Sequence, residues 1–148
     1  MKFKIKKFKK LSVTELYDLL RLRSEIFVLE QKCIYLDTDG HDEKSLHVLV
    51  YVKKKLVAYA RIVPPCTIFK TVSIGRVVVD EKYRGKEIGY LLMKKSIQET
   101  IKKYNPKIIS ISAQTHLEKF YNRLGFKAVG KTYLDCDIPH VKMLYHPN

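Results

Sequence analysis

Apolar residues recur along this chain at two different spacings, and together they predict seven strands and three helices. Phe3 and Ile5 alternate with lysines, which is typical of an edge strand with one wet face. After Ser12 the apolar residues fall three and four positions apart, which predicts an amphipathic helix that reaches Phe27. Comparing the two spacings along the rest of the chain gives the order β-α-β-β-β-α-β-α-β-β.

Capping and turn residues indicate where these elements start and stop. Ser12-Val13-Thr14-Glu15 is a capping box that opens the first helix, and Asn105-Pro106 stops the second. Gly125 is expected to end the third helix in a left-handed conformation. The remaining strands are predicted at 46–52, 56–63, 72–79, 107–113, 126–133 and 141–146, and the later helices at 88–104 and 115–124. This order predicts an α/β fold, a mixed sheet with helices on both faces.

The composition fits a single folded domain over residues 1–148, because 46% of the residues are hydrophobic. No apolar run has the length of a membrane span and no signal-peptide core is present, so we expect a cytoplasmic protein with no membrane partner. Cys33, Cys66 and Cys136 are scattered and contain no C-x-x-C pair. They suggest neither a disulfide framework nor a zinc site.

A net charge of +14 raises the alternative of a nucleic-acid-binding module that uses the lysine cluster at residues 2–10. The charge is mostly lysine spread along the chain, whereas readers of bases and phosphates favour the forked donors of arginine. A solvated basic surface is therefore the preferred interpretation, and nucleic acid is not the expected partner.

Residues 76–92 hold the most informative pattern, a β-branched strand, a polar turn, a basic glycine-containing loop and a helix. The free N–H groups and the dipole of the helix start point at any anion in that loop. The loop lacks the G-x-x-x-x-G-K-S/T and G-x-G-x-x-G patterns of other phosphate-binding folds. Arg84-Gly85-Lys86-Glu87-Ile88-Gly89 instead resembles the R-x-x-G-x-G/A loop of the GNAT superfamily of N-acetyltransferases, which wraps the pyrophosphate of acetyl-CoA.

A second stretch, residues 113–126, resembles the later GNAT motif that closes in F/L-Y-x-x-x-G-F. The resemblance narrows to the ElaA-like branch through Phe27-Val28-Leu29-Glu30-Gln31, Gly75-Arg76-Val77-Val78-Val79 and Ile138-Pro139-His140, among other segments. It implies a mostly antiparallel GNAT sheet of about seven strands and transfer of acetyl from acetyl-CoA to a primary amine by direct attack. No metal is implied, and a homodimer is a further expectation because many GNAT proteins dimerise.

The resemblance also implies roles for single residues. Tyr121 is expected to protonate the departing CoA thiolate. The expected acetyl-CoA contacts are Val77, Val78, Val79, Arg84, Gly85, Lys86, Glu87, Ile88, Gly89, Gln114 and Tyr121.

Three departures from the family pattern matter, and one of them is Asp135-Cys136-Asp137 in place of the usual acidic-acidic-Gly run. Glu87 stands where the loop is expected to have Gly, and its carboxylate would repel a pyrophosphate unless it turns to solvent. Gly75 stands where many GNAT proteins carry a catalytic Glu, so the motif supplies no general base. A GNAT-fold protein that binds CoA without turnover is therefore a third hypothesis.

The acceptor side is less defined. Glu30 and Asp39 belong to an acidic stretch that is either a solvated loop or a wall attracting a cationic amine. This stretch lacks the spacing of a calcium loop, so a metal site is rejected. Arg61 and Arg76 lie on strands and would either bind an acceptor carboxylate or pair with these acids, and Arg76 is the acceptor-site candidate of the two. His47 and His140 are candidate bases, with a hydrogen-bonded structural histidine as the alternative for each.

Overall fold

The computed structural model describes residues 1–148 and contains one seven-stranded sheet with the order β1-β2-β3-β4-β5-β7-β6. The strands are β1 (Lys2–Lys7), β2 (Leu46–Val52), β3 (Lys55–Val63), β4 (Val72–Val79), β5 (Ile109–Gln114), β6 (Lys127–Asp135) and β7 (Ile138–Tyr145). The helices are α1 (Val13–Arg23), α2 (Ile88–Tyr104) and α3 (Glu118–Arg123). The predicted order of elements and the predicted fold class are confirmed.

All neighbouring strands are antiparallel except β4 and β5, which run parallel. Only Val72 and Ser73 of β4 pair with β5, through Ile109 and Ser110. Beyond Ser73 the two strands separate, whereas β4 stays paired with β3 as far as Val79. The edge of β4 that faces β5 is therefore open along most of its length.

Two apolar cores lie on opposite faces of the sheet. The larger contains Leu92, Met93 and Ile97 of α2 packed on strand residues such as Val57 and Ile111. The smaller contains Leu19, Leu22 and Ile26, packed on Leu49, Leu56, Tyr59 and Val78. Burial of apolar side chains on both faces explains why β2 and β3 are apolar almost throughout.

The capping box is present, since Ser12 Oγ accepts a hydrogen bond from Glu15 N at 3.0 Å and the Glu15 side chain accepts one from Ser12 N at 2.9 Å. Gly125 has the expected positive φ of 102°. Some predicted boundaries were wrong. Helix α1 continues as a wider π-helical segment over Ser24–Glu30, and β7 starts at Ile138, so His140 lies in a strand and not in a loop.

The expectation about the cysteines was also wrong, because Cys33 and Cys136 are joined in a disulfide with their Cα atoms 6.0 Å apart. The bond links the segment after the π-helical turn to the β6–β7 hairpin. A sequence separation of 103 residues hides such a pair from any search for short cysteine spacings. Cys66 is free and exposed. No helix of the structure combines the length and the hydropathy needed to cross a membrane.

Candidate active site

A cavity of about 950 Å³ opens where β4 and β5 separate. Its wall is formed by β4, the loop before α2, the end of β5, α3, and residues of the β6–β7 hairpin. All of these segments except the hairpin carry predicted acetyl-CoA contacts. The contacts lining the cavity are Val77, Val78, Val79, Arg84, Gly85, Glu87, Ile88, Gly89, Gln114 and Tyr121.

Residues 84–89, which we call the phosphate loop, lead into α2 at one end of the cavity. Gly85 has a φ of +74° with open space around its Cα, and Glu87 occupies the left-handed region with φ 62° and ψ 10° at the N-cap of α2. The first N–H groups of α2, beginning at Ile88, have no partner inside the helix. The loop therefore presents backbone donors and the positive end of a 17-residue helix to the cavity.

The charged side chains of this loop do not all point at the cavity. Arg84 Nε donates to Val79 O at 3.1 Å, and its Nη2 pairs with Glu30 Oε1 at 3.0 Å. Glu87 is exposed, and its Oε2 lies 3.4 Å from Arg123 Nη2. Glu87 is thus turned toward a cation, which offsets the repulsion expected from the sequence.

Lys86 does not line the cavity. Its Nζ lies 5.4 Å from the ring centroid of Tyr83.

Tyr121 of α3 is 7% exposed and lines the cavity. Its ring packs edge-on against Phe120 and Phe126, which fixes its direction. Burial alone raises the pKa of Tyr121 to about 12, because no charged or hydrogen-bonding neighbour contributes. The phenol is therefore protonated across the neutral pH range and can donate a proton.

A buried network of alternating charges closes the other end of the cavity, and we call it the ion network. Arg23 contacts Asp37 and Asp42, both at 2.7 Å, and Arg61 contacts Asp42 at 2.8 Å and both oxygens of Asp39 at 2.7 Å. Arg23 and Arg61 are 0% and 1% exposed. Three arginines neutralise three aspartates when Arg76 is included, since its Nε lies 2.9 Å from Asp37 Oδ1.

This pairing changes the interpretation of the acidic stretch. Burial raises the pKa of Asp39, but hydrogen bonds from Arg61 and its positive charge outweigh burial and hold that pKa well below its usual range. The pKa of Asp42 is lowered in the same way by Arg23 and Arg61. These aspartates are charged but fully countered, so they do not form the free anionic wall that was one of the two sequence interpretations.

Four of the five acceptor-site candidates line the cavity, namely Glu30, Asp39, Arg76 and His140. His47 does not. It is 0% exposed, with Nδ1 2.6 Å from Tyr59 Oη and Nε2 2.8 Å from Asp42 O. Burial lowers the pKa of His47 and keeps the ring neutral. With both nitrogens committed, His47 has no free position for a substrate proton, and the structural alternative holds for it.

His140 lies in β7 opposite Gln114 of β5. Its Nδ1 is 2.7 Å from Ile138 O, and its ring stacks on Tyr133 with centroids 6.0 Å apart. The Tyr133 hydroxyl shares a hydrogen bond with the Ser112 hydroxyl, and both residues line the cavity. Tyr133 and Ser112 were not predicted as site residues, because a tyrosine in a strand gives no signal until its neighbour in the sheet is known.

The sequence indicated the ion network only in part, because pairing of Arg61 and Arg76 with the acidic stretch was one of two open alternatives and Arg23 gave no signal. Arg23 reads as an ordinary helix residue and Arg61 as a strand residue, and their partners lie 14 to 22 residues away. The clustering of Asp37, Asp39 and Asp42 was the available signal. No group of three or more His, Cys, Asp or Glu side chains is arranged to hold a metal ion.

Comparison with known proteins identifies the family. The family profile described as "Acetyltransferase (GNAT) domain" matches residues 25–146. The chain belongs to the GNAT acetyltransferase family. This GNAT chain is 42% identical to Protein ElaA of Escherichia coli K12 over 135 residues, which cover 90% of this chain and 88% of that protein.

Solved structures agree with this assignment. The crystal structure of Escherichia coli ElaA matches with a TM-score of 0.91 and 38% identity, covering 99% of this chain and 100% of that one. An acyl-CoA N-acyltransferase from Pseudomonas aeruginosa matches with the same TM-score and identity over 98% of this chain and 99% of its own. An aminoglycoside 6'-N-acetyltransferase complexed with coenzyme A shares the fold alone, with a TM-score of 0.74 and 17% identity over 97% of this chain and 96% of its own. The resemblance to the ElaA-like branch is therefore confirmed.

Proposed function

We propose that this GNAT protein transfers acetyl from acetyl-CoA to a primary amine, by direct attack while both substrates are bound. The observation that carries the proposal is the meeting of three features in one cavity. These are the open edge of β4, the free amides at the start of α2 and the phenol of Tyr121.

The cavity suits the chemical parts of acetyl-CoA. The open backbone of residues 75–79 can pair with the amides of an extended pantetheine arm as an added strand would pair. The phosphate loop offers its amides and a helix N-terminus to the pyrophosphate. Arg84 would act by holding the loop against Val79 and Glu30, since its guanidinium is already engaged with them.

Acetyl-CoA supplies an activated acyl group on a thiol leaving group. The chain would then contribute positioning, a backbone donor from β4 toward the carbonyl oxygen, and a proton from Tyr121 to the departing thiolate. Tyr121 suits that role because its buried phenol stays protonated until the thiolate forms. The only free cysteine, Cys66, does not line the cavity, so no thiol is placed there to form a covalent enzyme intermediate.

The test combines binding with turnover. Acetyl-CoA should raise the melting temperature, and a panel of primary amines should contain at least one that releases free thiol in the presence of acetyl-CoA. A melting shift without thiol release across the panel would favour the hypothesis of a CoA-binding protein without turnover. Binding of RNA or DNA with an affinity that falls steeply as salt rises would favour the nucleic-acid-binding module, provided that acetyl-CoA does not raise the melting temperature.

The basic module loses some of its support in the structure. Lys4 and Lys6 of β1 both pair with Glu15, at 3.4 Å and 2.7 Å, so part of the lysine cluster is neutralised within the chain.

Two further expectations accompany the proposal. The homodimer remains a prediction, for which the exposed outer strand β6 offers an unpaired backbone edge. Sedimentation analysis checks it. The cytoplasmic location also remains a prediction, and the Cys33–Cys136 disulfide is the feature that a reducing compartment would open.

A further inference from the structure

We propose that His140 Nε2 is the general base that accepts the proton of the acceptor amine. This inference rests on the proposed acetyl transfer and deepens it. The motif contains no general base, because Gly75 occupies the strand position where many GNAT proteins carry a catalytic Glu. His140 would supply that base.

The hydrogen bond of His140 decides which nitrogen is free. Nδ1 lies 2.7 Å from Ile138 O, and a carbonyl oxygen only accepts hydrogen bonds. Nδ1 must therefore carry a hydrogen atom. In the neutral ring Nε2 then holds the lone pair, which is the state that a general base needs.

The neighbours of His140 hold its ring in a fixed place. Tyr133 of β6 stacks on it with an interplanar angle of 23°, and Tyr133 is itself tied through its hydroxyl to Ser112 of β5. His140 is opposite Gln114 in the register of β5 and β7, at the end of β5 that leads to α3 and Tyr121. A strand position supported by two neighbouring strands holds a side chain more rigidly than a loop does.

Other polar groups of the cavity wall are less suited to take a proton. Asp39 is bound by both nitrogens of the Arg61 fork, which holds its pKa well below the usual range. Glu30 pairs with Arg84. His47 has no free nitrogen and lies outside the cavity. His41 and His116 also line the cavity, but neither ring nitrogen of these residues has a hydrogen bond that sets its tautomer.

The step conserves atoms and charge. As the neutral amine nitrogen bonds to the acetyl carbon and the carbon–sulfur bond breaks, His140 Nε2 takes one proton from that nitrogen. Tyr121 gives its hydroxyl proton to the sulfur, which leaves as a thiol. The imidazolium and the tyrosinate return to their starting states when one proton passes between them through solvent.

The test compares variants of the three cavity histidines on an amine that the wild-type protein acetylates. We expect His140→Gln to lower kcat by about 10²-fold or more while the Kd for acetyl-CoA stays within twofold. His116→Gln and His41→Gln should keep kcat within about threefold. Melting temperatures of all variants check that each is folded.

Two further measurements make the inference falsifiable. Imidazole added to His140→Ala should restore part of the lost turnover, because the vacated space admits a free base. Nitrogen NMR of wild-type protein labelled in its histidines should find His140 protonated on Nδ1 and unprotonated on Nε2 when neutral. Wild-type turnover in His140→Gln, a loss without imidazole rescue, or a proton on Nε2 would each overturn the inference. A wild-type protein that acetylates no amine would instead contradict the proposed function. The NMR measurement does not need enzymatic activity, so it still tests the state of His140 in that case.

Discussion

The two ends of the cavity are built in opposite ways. The cofactor end, which is the phosphate loop and the start of α2, consists of consecutive residues that present backbone amides and are mostly exposed. The acceptor end is closed by the ion network, whose six charged side chains come from α1, the 37–42 segment, β3 and β4.

Because of this difference, substitutions at the cofactor end should mainly affect ligand binding, and substitutions at the acceptor end should mainly affect folding stability. A change in the phosphate loop alters what faces a ligand but removes little buried contact. A change in the ion network leaves a charge uncompensated in the interior, which costs far more than a lost surface pair. We therefore expect cofactor-end variants to fail in affinity or turnover, and acceptor-end variants to fail first in stability.

The largest expected effect is that of Asp42→Ala. The variant leaves Arg23 and Arg61 each without one buried partner, so the free energy of unfolding should fall by about 3–5 kcal/mol. Urea unfolding measures it. Glu25→Ala is the matched control, because it breaks an exposed pair with Arg21 at 2.9 Å and should change stability by less than about 0.5 kcal/mol. Equal losses in the two variants would show that the ion network does not anchor the fold.

Lowering the pH should reproduce part of the loss of stability expected for Asp42→Ala. The pKa of Asp39 is lower in the folded than in the unfolded state, so its contribution to stability is complete above about pH 4 and disappears as pH falls through the folded value. Asp39→Asn should therefore be less stable than the wild type at pH 7, and the gap between their urea midpoints should narrow below about pH 4. A gap that stays constant with pH would mean that the carboxylate charge is not the stabilising feature.

Tyr121→Phe tests the cofactor side of the chemistry without touching the ion network. We expect turnover to fall by about 10²-fold, which corresponds to about 2.7 kcal/mol of lost transition-state stabilisation. The Kd for acetyl-CoA, measured by calorimetry, should stay nearly unchanged because the hydroxyl acts only when the thiolate leaves.

Tyr104→Phe is the control for that substitution, since Tyr104 is a half-buried tyrosine outside the cavity. Full activity in Tyr121→Phe, or an equal loss in Tyr104→Phe, would remove Tyr121 from the mechanism.

Glu87→Gly should have the smallest effect and the opposite sign. Gly adopts the left-handed backbone at this N-cap without the penalty of about 1 kcal/mol that a side chain incurs there. The substitution also releases Arg123 from its partner, which adds positive charge near the phosphate loop. Acetyl-CoA should bind more tightly, and the gain should shrink with salt.

Lys54→Gly separates the two causes. Lys54 has a similar φ of 66° but lies in the turn between β2 and β3, far along the chain from the loop. It should gain stability without gaining affinity. A Glu87→Gly protein that binds acetyl-CoA no better than Lys54→Gly would mean that Glu87 already leaves the pyrophosphate site clear.

The same contrast explains what the sequence could predict. The order of elements and the motifs of the cofactor end follow from short-range patterns, and Gly85, Gly89 and Tyr121, which are expected acetyl-CoA contacts, all line the cavity. The partners of Arg61, and the bond between Cys33 and Cys136, depend on which distant segments meet. Nothing within a few residues of Arg61 distinguishes a buried, twice-paired arginine from an exposed one.

His140 illustrates the intermediate case. The Ile138-Pro139-His140 segment could be recognised, but its place in a strand could not, because proline is disfavoured inside a sheet. Strand pairing of β7 with both β5 and β6 imposes the extended conformation on this segment. Tertiary pairing overrides local preference at this position.

The short pairing between β4 and β5, which involves two residues of each strand, also has a mechanical consequence. It makes the sheet a pair of smaller sheets, β1–β4 and β5–β7, joined by little backbone hydrogen bonding and by the shared apolar core under α2. Such halves are expected to open to solvent as separate cooperative units, which native-state hydrogen exchange resolves residue by residue. A strand-like ligand lying between the two halves would hydrogen-bond across the gap and hold them together. Amide hydrogens on both sides of the gap would then exchange more slowly, and by similar factors.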